Sequence, residues 1–243
     1  MSGAHHVVSL SGGKDSTAML LMMLERGMQV DEVVNADTGM EFPAMAAHLR
    51  RVEEYAGIPI TYLRHQQGFE HLMFDHVRTK GKYAGVAGYG WARPMARWCT
   101  SKLKTDLMDK HVKELSGNRE VVRYIGIAAD EPRRIREFRY PLVDWGVTEA
   151  DALAYCYAHG FDWGGLYETF DRVSCWCCPL QPLAALRKLR HGFPELWERL
   201  MDMDGRAWNT FKADYSVEQL ERRFAQEDAQ MSMFDCMTMG GES

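Results

Sequence analysis

The sequence predicts an α/β protein: a doubly wound, mainly parallel sheet of five strands with a helical, cysteine-bearing subdomain towards the carboxyl end. Three observations carry that prediction. First, the apolar run Val7-Val8-Ser9-Leu10 leads through Ser11-Gly12-Gly13-Lys14-Asp15-Ser16 into a stretch with Leu20, Leu21 and Leu24 at helical spacing, which reads as strand, glycine turn and helix. Second, further β-branched runs alternate with helix-periodic stretches, the rhythm of βαβ units on a parallel sheet. Third, Cys175-Trp176-Cys177-Cys178-Pro179 lies well after the last such strand and marks a separate structural device.

The whole chain bounds the function. Its 243 residues suit one large α/β domain with a subdomain, and 46% hydrophobic with 26% charged residues is an ordinary globular composition. No apolar run approaches the roughly 18 residues a membrane helix needs. A core strand by Val7 leaves no room for a leader, so the expected compartment is the cytoplasm. There the six cysteines are better metal or redox groups than disulfides. A net charge of −5 argues against a nucleic-acid coat protein but leaves room for a local basic groove. The 16 methionines sit on apolar helix faces as core filler.

In the first βα turn, Gly12 and Gly13 let backbone N–H groups close on an oxyanion at a helix amino terminus, with Ser11, Lys14 and Ser16 adding donors and charge. Lys14 is followed by Asp15, so this is not a Walker loop. SGGKDS instead resembles the pyrophosphate loop of the adenine nucleotide α-hydrolase-like superfamily. A helix from about Thr17 to Arg26 ends at Gly27, and Val30 to Ala36 is the second strand. Asp37 and Thr38 follow it. An Asp at the carboxyl end of a parallel strand faces the ligand crevice or caps the next helix. DTG-x-x-FP over residues 37–43 is similar to the signature of the phosphoadenosine phosphosulfate (PAPS) reductase family.

The pattern continues with a helix over 44–57, a strand over 58–63, a helix over 65–78 and a glycine-rich, Tyr-rich loop over 81–90. Residues 91–104 carry Arg93, Arg97, Lys102 and Lys104 with interleaved Trp and no acid, a solvated face or a phosphate or nucleic-acid contact strip. RWCT-x-x-LK over 97–104 resembles the family's first cysteine motif. After a helix to Leu115, a buried strand over 121–128 delivers Gly126, Asp130, Glu131, Arg133 and Arg134, which resembles the family's fourth-strand motif. Ala128 stands where many members carry Arg, and Arg133, Arg134 and Arg136 supply the charge instead. Tyr140–Trp145 matches the family's PL-x-DW turn, Thr148 caps a helix from Glu149 to His159, and Gly164–Tyr167 is a further turn.

Cys175 and Cys178 form a C-x-x-C whose thiolates can turn onto one metal. The resemblance implies a [4Fe–4S] cluster on Cys99, Cys175 and Cys178, with Cys177 as fourth ligand or turned away from an open iron. The spacing leaves a structural zinc and metal-free core cysteines open. Cys156, mid-helix, reads as core. Leu183 to His191 and Phe193 to Tyr215 are expected as helices, and the polar, Met-rich stretch from Gln226 as a tail without fixed structure when free. The expected domains are 1–172 for nucleotide, 173–225 for the cysteines and helices, and 226–243 as the tail.

The resemblance implies an adenine-nucleotide-dependent sulfur-transfer enzyme of the ATP-pyrophosphatase type, with ATP and Mg²⁺ at the loop. Lys14, Arg133 and Arg134 stabilise phosphate charge and Asp15 orients the loop or metal. Ser11, Gly12, Gly13, Ser16, Asp37, Thr38, Gly126 and Asp130 hold the nucleotide. The acceptor is a tRNA, a DNA or a small molecule, and a sulfur-donor protein is an expected partner. Two other functions stay open: a sulfonucleotide reductase with Cys236 as nucleophile, and a non-catalytic nucleotide- or clamp-binding accessory protein. Cys236 lacks the Glu-Cys-Gly context of the reductases. Gln230-Met231-Ser232-Met233-Phe234 resembles the peptide that docks on the bacterial sliding clamp.

Overall fold

A computed structural model describes residues 3–117 and 119–239, with side chains in that range up to Gln230. The elements run β1 (His5–Ser9), α1 (Lys14–Glu25), β2 (Glu32–Ala36), α2 (Pro43–Ala56), β3 (Ile60–Leu63) and α3 (Gly68–Phe74). A helical run follows, of α4 (Trp98–Thr100), a π-helical turn (Ser101–Thr105) and α5 (Asp106–Ser116). Then come β4 (Val121–Ile125), α6 (Pro141–Asp144), α7 (Glu149–Ala158), α8 (Leu166–Thr169), α9 (Leu183–Gly192), α10 (Pro194–Arg206) and α11 (Val217–Met239). The chain divides into two compact units, Met1–Phe69 with Trp98–Trp176, and Glu70–Arg97 with Cys177–Ser243.

The first unit is a parallel sheet in the order β3-β2-β1-β4, with Val8 opposite Val33 on one side and Tyr124 on the other. Val7 and Val8 are fully buried, as a central parallel strand requires. The described residues form four strands, where the sequence predicts five. Arg139 exchanges backbone hydrogen bonds with Arg123 and Ile125 as a single parallel bridge beside β4. Pro141 then opens α6 at once, so a fifth strand has no length in which to form.

The helix ends follow from local chemistry. Gly13, in extended backbone, caps α1, whose first residue Lys14 lies three before the predicted start. Gly57 in the left-handed region closes α2, and Thr148 with Asp151 closes a reciprocal capping box on α7. α1 packs against α2, α6 and α7. Its seat is fixed by His48 of α2, which stacks on Trp163 at 4.4 Å and meets the Thr17 hydroxyl at 3.0 Å. His48 is 2% exposed, and burial pushes its pKa down to about 3.

In the second unit α9 and α10 pack together and α10 packs on α11, around Leu186, Leu189, Trp197, Leu200, Leu220 and Phe224. Arg190 grips both carboxylate oxygens of Glu221 at 2.7 Å, and Trp197 Nε1 donates to the same carboxylate. The helix predicted over 193–215 stops at Arg206. Asp204 near its end instead accepts from Trp91 Nε1 and from the Val217 N–H that opens α11. Where the sequence predicts a tail from Gln226, α11 continues. Arg187 and Arg223 pair with Glu227, and Arg187 and Arg190 with Asp228, tying that turn to α9. The side chains of Met231–Phe234 in the clamp-like peptide, and that of Cys236, lie outside the described residues.

Candidate functional site

The carboxyl ends of β1 and β4 and the amino end of α1 meet around the glycine turn. Gly12 has φ +83°, and a Cβ there would sit 2.6 Å from Met45 Sδ. Its carbonyl accepts from Trp163 Nε1 at 2.7 Å. Gly126 has a different reason to be glycine: a Cβ would lie 2.6 Å from the Ser16 backbone. The absent side chain lets β4 approach the first turn of α1. Ser16 Oγ donates to the Gly13 carbonyl and meets Ser11 Oγ, each at 3.0 Å, so the two serines brace the turn from within.

A cavity of about 100 Å³ opens on this turn. Ser11, Gly13, Lys14, Asp15, Ser16 and Gly126 line it, joined by Arg134, Glu149, Tyr167 and Arg172. Lys14 Nζ lies 2.9 Å from Asp15 and 3.3 Å from Glu149. One oxygen each of Asp15, Glu131 and Glu149 fall within 4.8 Å of one another. Burial, with Glu149 and Glu131 alongside, outweighs Lys14 and raises the Asp15 carboxyl above its ordinary range. Three oxygen donors of this kind suit a hard divalent cation such as Mg²⁺. The Lys14 N–H donates to the Tyr167 hydroxyl at 2.9 Å, and burial raises that phenol.

Asp37 lines a second, larger cavity of about 430 Å³, together with Ser11, Asn35, Phe42, Met45 and Arg64. Its carboxylate accepts from the Gly39 N–H and from Arg64 Nε. Thr38 turns to Glu41, donating at 2.8 Å. Of the other residues singled out by sequence, Asp130 accepts the Glu149 N–H at the start of α7. Arg133 is exposed on a 3₁₀ turn and does not line the 100 Å³ cavity, whereas Arg134 does and pairs with Glu131.

Cys99 and Cys175 share one electrostatic neighbour. Desolvation opposes the Lys104 charge, but Cys175, Glu41 and Cys99 outweigh it and raise the Lys104 pKa. Cys175 Sγ lies 3.7 Å from Thr38 Oγ1 and 3.9 Å from Glu41 Oε1. Cys177 and Cys178 fall in the second unit, where Lys212 Nζ donates to the Pro179 and Gln181 carbonyls and braces the turn that follows them. Cys156 is core as expected, its thiol donating to the Lys14 carbonyl and pushed up to about 12 by burial.

Sequence reasoning names Glu149 and Tyr167 only as parts of a cap and a turn, and passes over Arg172 and Glu41. The Thr148 cap fixes Glu149 in the first turn of α7, an ordinary place for an acid. Nothing local signals that this turn faces Lys14.

Residues 5–181 match the phosphoadenosine phosphosulfate reductase domain. Over 209 residues the chain is 29% identical to an uncharacterized protein of Methanocaldococcus jannaschii, covering 79% of this chain and 40% of that one. A second uncharacterized protein of that organism is 24% identical over 80% of this chain and 46% of its own length. An uncharacterized nin region protein of Escherichia phage lambda is 27% identical over 65% of this chain and 60% of its own. The chain therefore spans less than half of the two archaeal relatives. The structure is similar in fold to a phosphoadenylyl-sulfate reductase of Candida auris solved with phosphate, with TM-score 0.50 and 14% identity over 72% of this chain and 83% of that one.

Proposed function

Because the chain belongs to the phosphoadenosine phosphosulfate reductase domain family, we propose that it is an adenine-nucleotide-dependent sulfur-transfer enzyme that adenylates an acceptor before sulfur insertion. One observation carries the reading: the glycine turn at the amino end of α1 and the Asp15–Glu131–Glu149 carboxylates meet at one place. A helix amino terminus with glycine-freed N–H groups favours phosphate, and a carboxylate trio favours the Mg²⁺ that accompanies it. Asp37 and Thr38 stand at the carboxyl end of β2, where ligands of open α/β sheets bind.

In the proposed reaction an acceptor oxygen forms a bond to the α-phosphorus. The bond to the β-phosphate oxygen breaks, and pyrophosphate leaves with the electron pair. Lys14 and Arg134 stabilise the charge that accumulates on the phosphates, with Arg133 next to Arg134 in sequence. Asp15 holds the metal, and the serine pair keeps the turn in shape.

We take Cys99 and Cys175 of the first unit, both bearing on Lys104, as two thiolate ligands of one metal centre. A [4Fe–4S] cluster held there would supply iron chemistry for the incoming sulfur, and zinc is the alternative occupant. The proposal places the enzyme in the cytoplasm, where such thiols stay reduced, with a sulfur-donor protein as partner.

The test is pyrophosphate release from ATP and Mg²⁺ with candidate acceptors, run beside sulfite release from a sulfonucleotide. Lys14→Ala and Asp15→Ala are expected to abolish turnover and leave the fold intact. Undiminished pyrophosphate release in both variants would overturn the site. Sulfite release abolished by Cys236→Ser would make the enzyme a reductase.

A further inference from the structure

The second unit holds a charge and aromatic pattern that the nucleotide reaction does not use. Residues 76–97 contain Arg78, Lys80, Lys82, Arg93 and Arg97 and neither Asp nor Glu, in a chain whose net charge is −5. Such segregation is an electrostatic footprint for an anionic partner. Of the nearby acids in the same unit, Asp75 lies 3.7 Å from His71, Glu70 pairs with Arg199 and Arg206, and Asp204 accepts from Trp91 and Val217.

The cations are organised around rings. The Arg78 guanidinium lies 4.6 Å from the Tyr83 ring centroid, 5.2 Å from Trp208 and 5.8 Å from Tyr89. Its Nε and Nη2 are buried without hydrogen-bond partners among the described residues, so the rings are its main company there. Tyr83 and Trp208 are tilted neighbours at 5.5 Å, and Tyr89 stacks on His76 at 5.3 Å. Trp208 is anchored through Nε1 to the Gly88 carbonyl. Yet Trp208 is 46% exposed and Tyr83 42%. Two large rings are thus held beside a half-buried cation and left open to solvent. Lys80, Lys82 and Arg97 are exposed on the same segment, with Lys82 Nζ 5.6 Å from the Tyr83 ring.

We propose that Tyr83 and Trp208, with Lys80 and Lys82, form a docking surface for single-stranded nucleic acid. Rings offer stacking faces to unpaired bases while lysines meet the backbone phosphates, a combination that reads strand rather than sequence. A duplex keeps its bases stacked on one another and cannot use the rings. An acidic protein surface would meet the lysines but offers no run of flat faces for the two rings to stack on. This names the acceptor class of the proposed sulfur transfer and rests on that reading for its purpose. The binding itself needs no nucleotide at the glycine turn.

The experiment is fluorescence anisotropy of the full chain with labelled RNA and DNA single strands of about 12 nucleotides, and the matching duplex, between about 50 and 200 mM salt. Single strands are expected to bind, more tightly than duplex, with affinity falling steeply with salt. Trp208→Ala is expected to weaken binding about tenfold or more, with Trp208→Phe restoring most of it. Lys80→Glu with Lys82→Glu, on exposed positions that leave folding undisturbed, should also weaken binding and lower the salt slope by about 2. Preference for RNA or for DNA identifies which strand the surface takes, and either supports the proposal. Absence of oligonucleotide binding, which would leave the rings to a protein partner, overturns it. So does duplex binding as tight as single-strand binding, or affinity unchanged in the lysine pair. Because the assay omits ATP, loss of pyrophosphate release with binding intact overturns only the adenylation reading, and the reverse overturns only this one.

Discussion

Acid should unseat α1 through His48. This ring is buried between Thr17 and Trp163, and its Nδ1 has no hydrogen-bond partner among the described residues. Burial, helped by Arg51, holds its pKa near about 3 against the ordinary 6.5. The folded-state pKa is the lower of the two, so below the ordinary value the unfolded chain binds a proton that the folded one refuses. Stability is therefore fully present above 6.5 and is lost as pH falls towards 3. At about pH 5.5, one unit below the unfolded value, the loss is about 1.4 kcal/mol at about 1.36 kcal/mol per unit. Any folded-state value below about 4.5 leaves that figure unchanged. The assay is urea denaturation followed by tryptophan fluorescence at about pH 7.5 and about pH 5.5, on the wild type and on His48→Gln. The variant keeps a polar group at the site and removes its titration. Wild type should lose about 1.4 kcal/mol more than the variant between the two pH values. Equal losses would refute the argument, because His48 would then titrate in the folded protein as it does unfolded.

Two further outcomes follow from the geometry. Gly126→Ala drives a methyl into the Ser16 backbone, so it should cost about 1–3 kcal/mol in urea denaturation and weaken nucleotide binding with it; unchanged stability would mean that β4 and α1 separate freely. Anaerobically purified Cys175→Ser should lose bound iron or zinc while Cys156→Ser retains it, read by metal analysis; equal metal content in the two would remove Cys175 from the centre.

The features readable in the sequence are those whose cause is local. SGGKDS announces strand, turn and helix because each residue type is needed within one turn of chain. Gly57 and Thr148 mark helix ends by their own conformational and hydrogen-bonding chemistry. What escapes the sequence is convergence. Glu149 and Tyr167 reach Lys14 because α7 packs against α1 and the turn after it returns to the loop, and no local pattern encodes that return. The break after Arg206 escapes for a similar reason: Asp204 is drawn to Trp91 and Val217, partners remote from α10 in sequence. The continuation of α11 past Gln226 depends on Arg187 and Arg190 of α9, which a reading of composition alone cannot supply.

The interleaving of the two units has a consequence for the order of synthesis. Segment 70–97 leaves the ribosome early, but its anchors come late: Trp91 bonds to Asp204 and Asn209, and Arg93 to the carbonyls of Thr210 and Phe211. At about 5–20 residues per second, the wait for those anchors is roughly 6–24 s. β1, β2 and β3 precede the segment and β4 emerges within that interval, so the parallel sheet is complete before the anchors are made. The first unit can therefore fold while that segment of glycine, aromatic and basic residues is still unanchored, and the segment stays open to proteases and chaperones meanwhile.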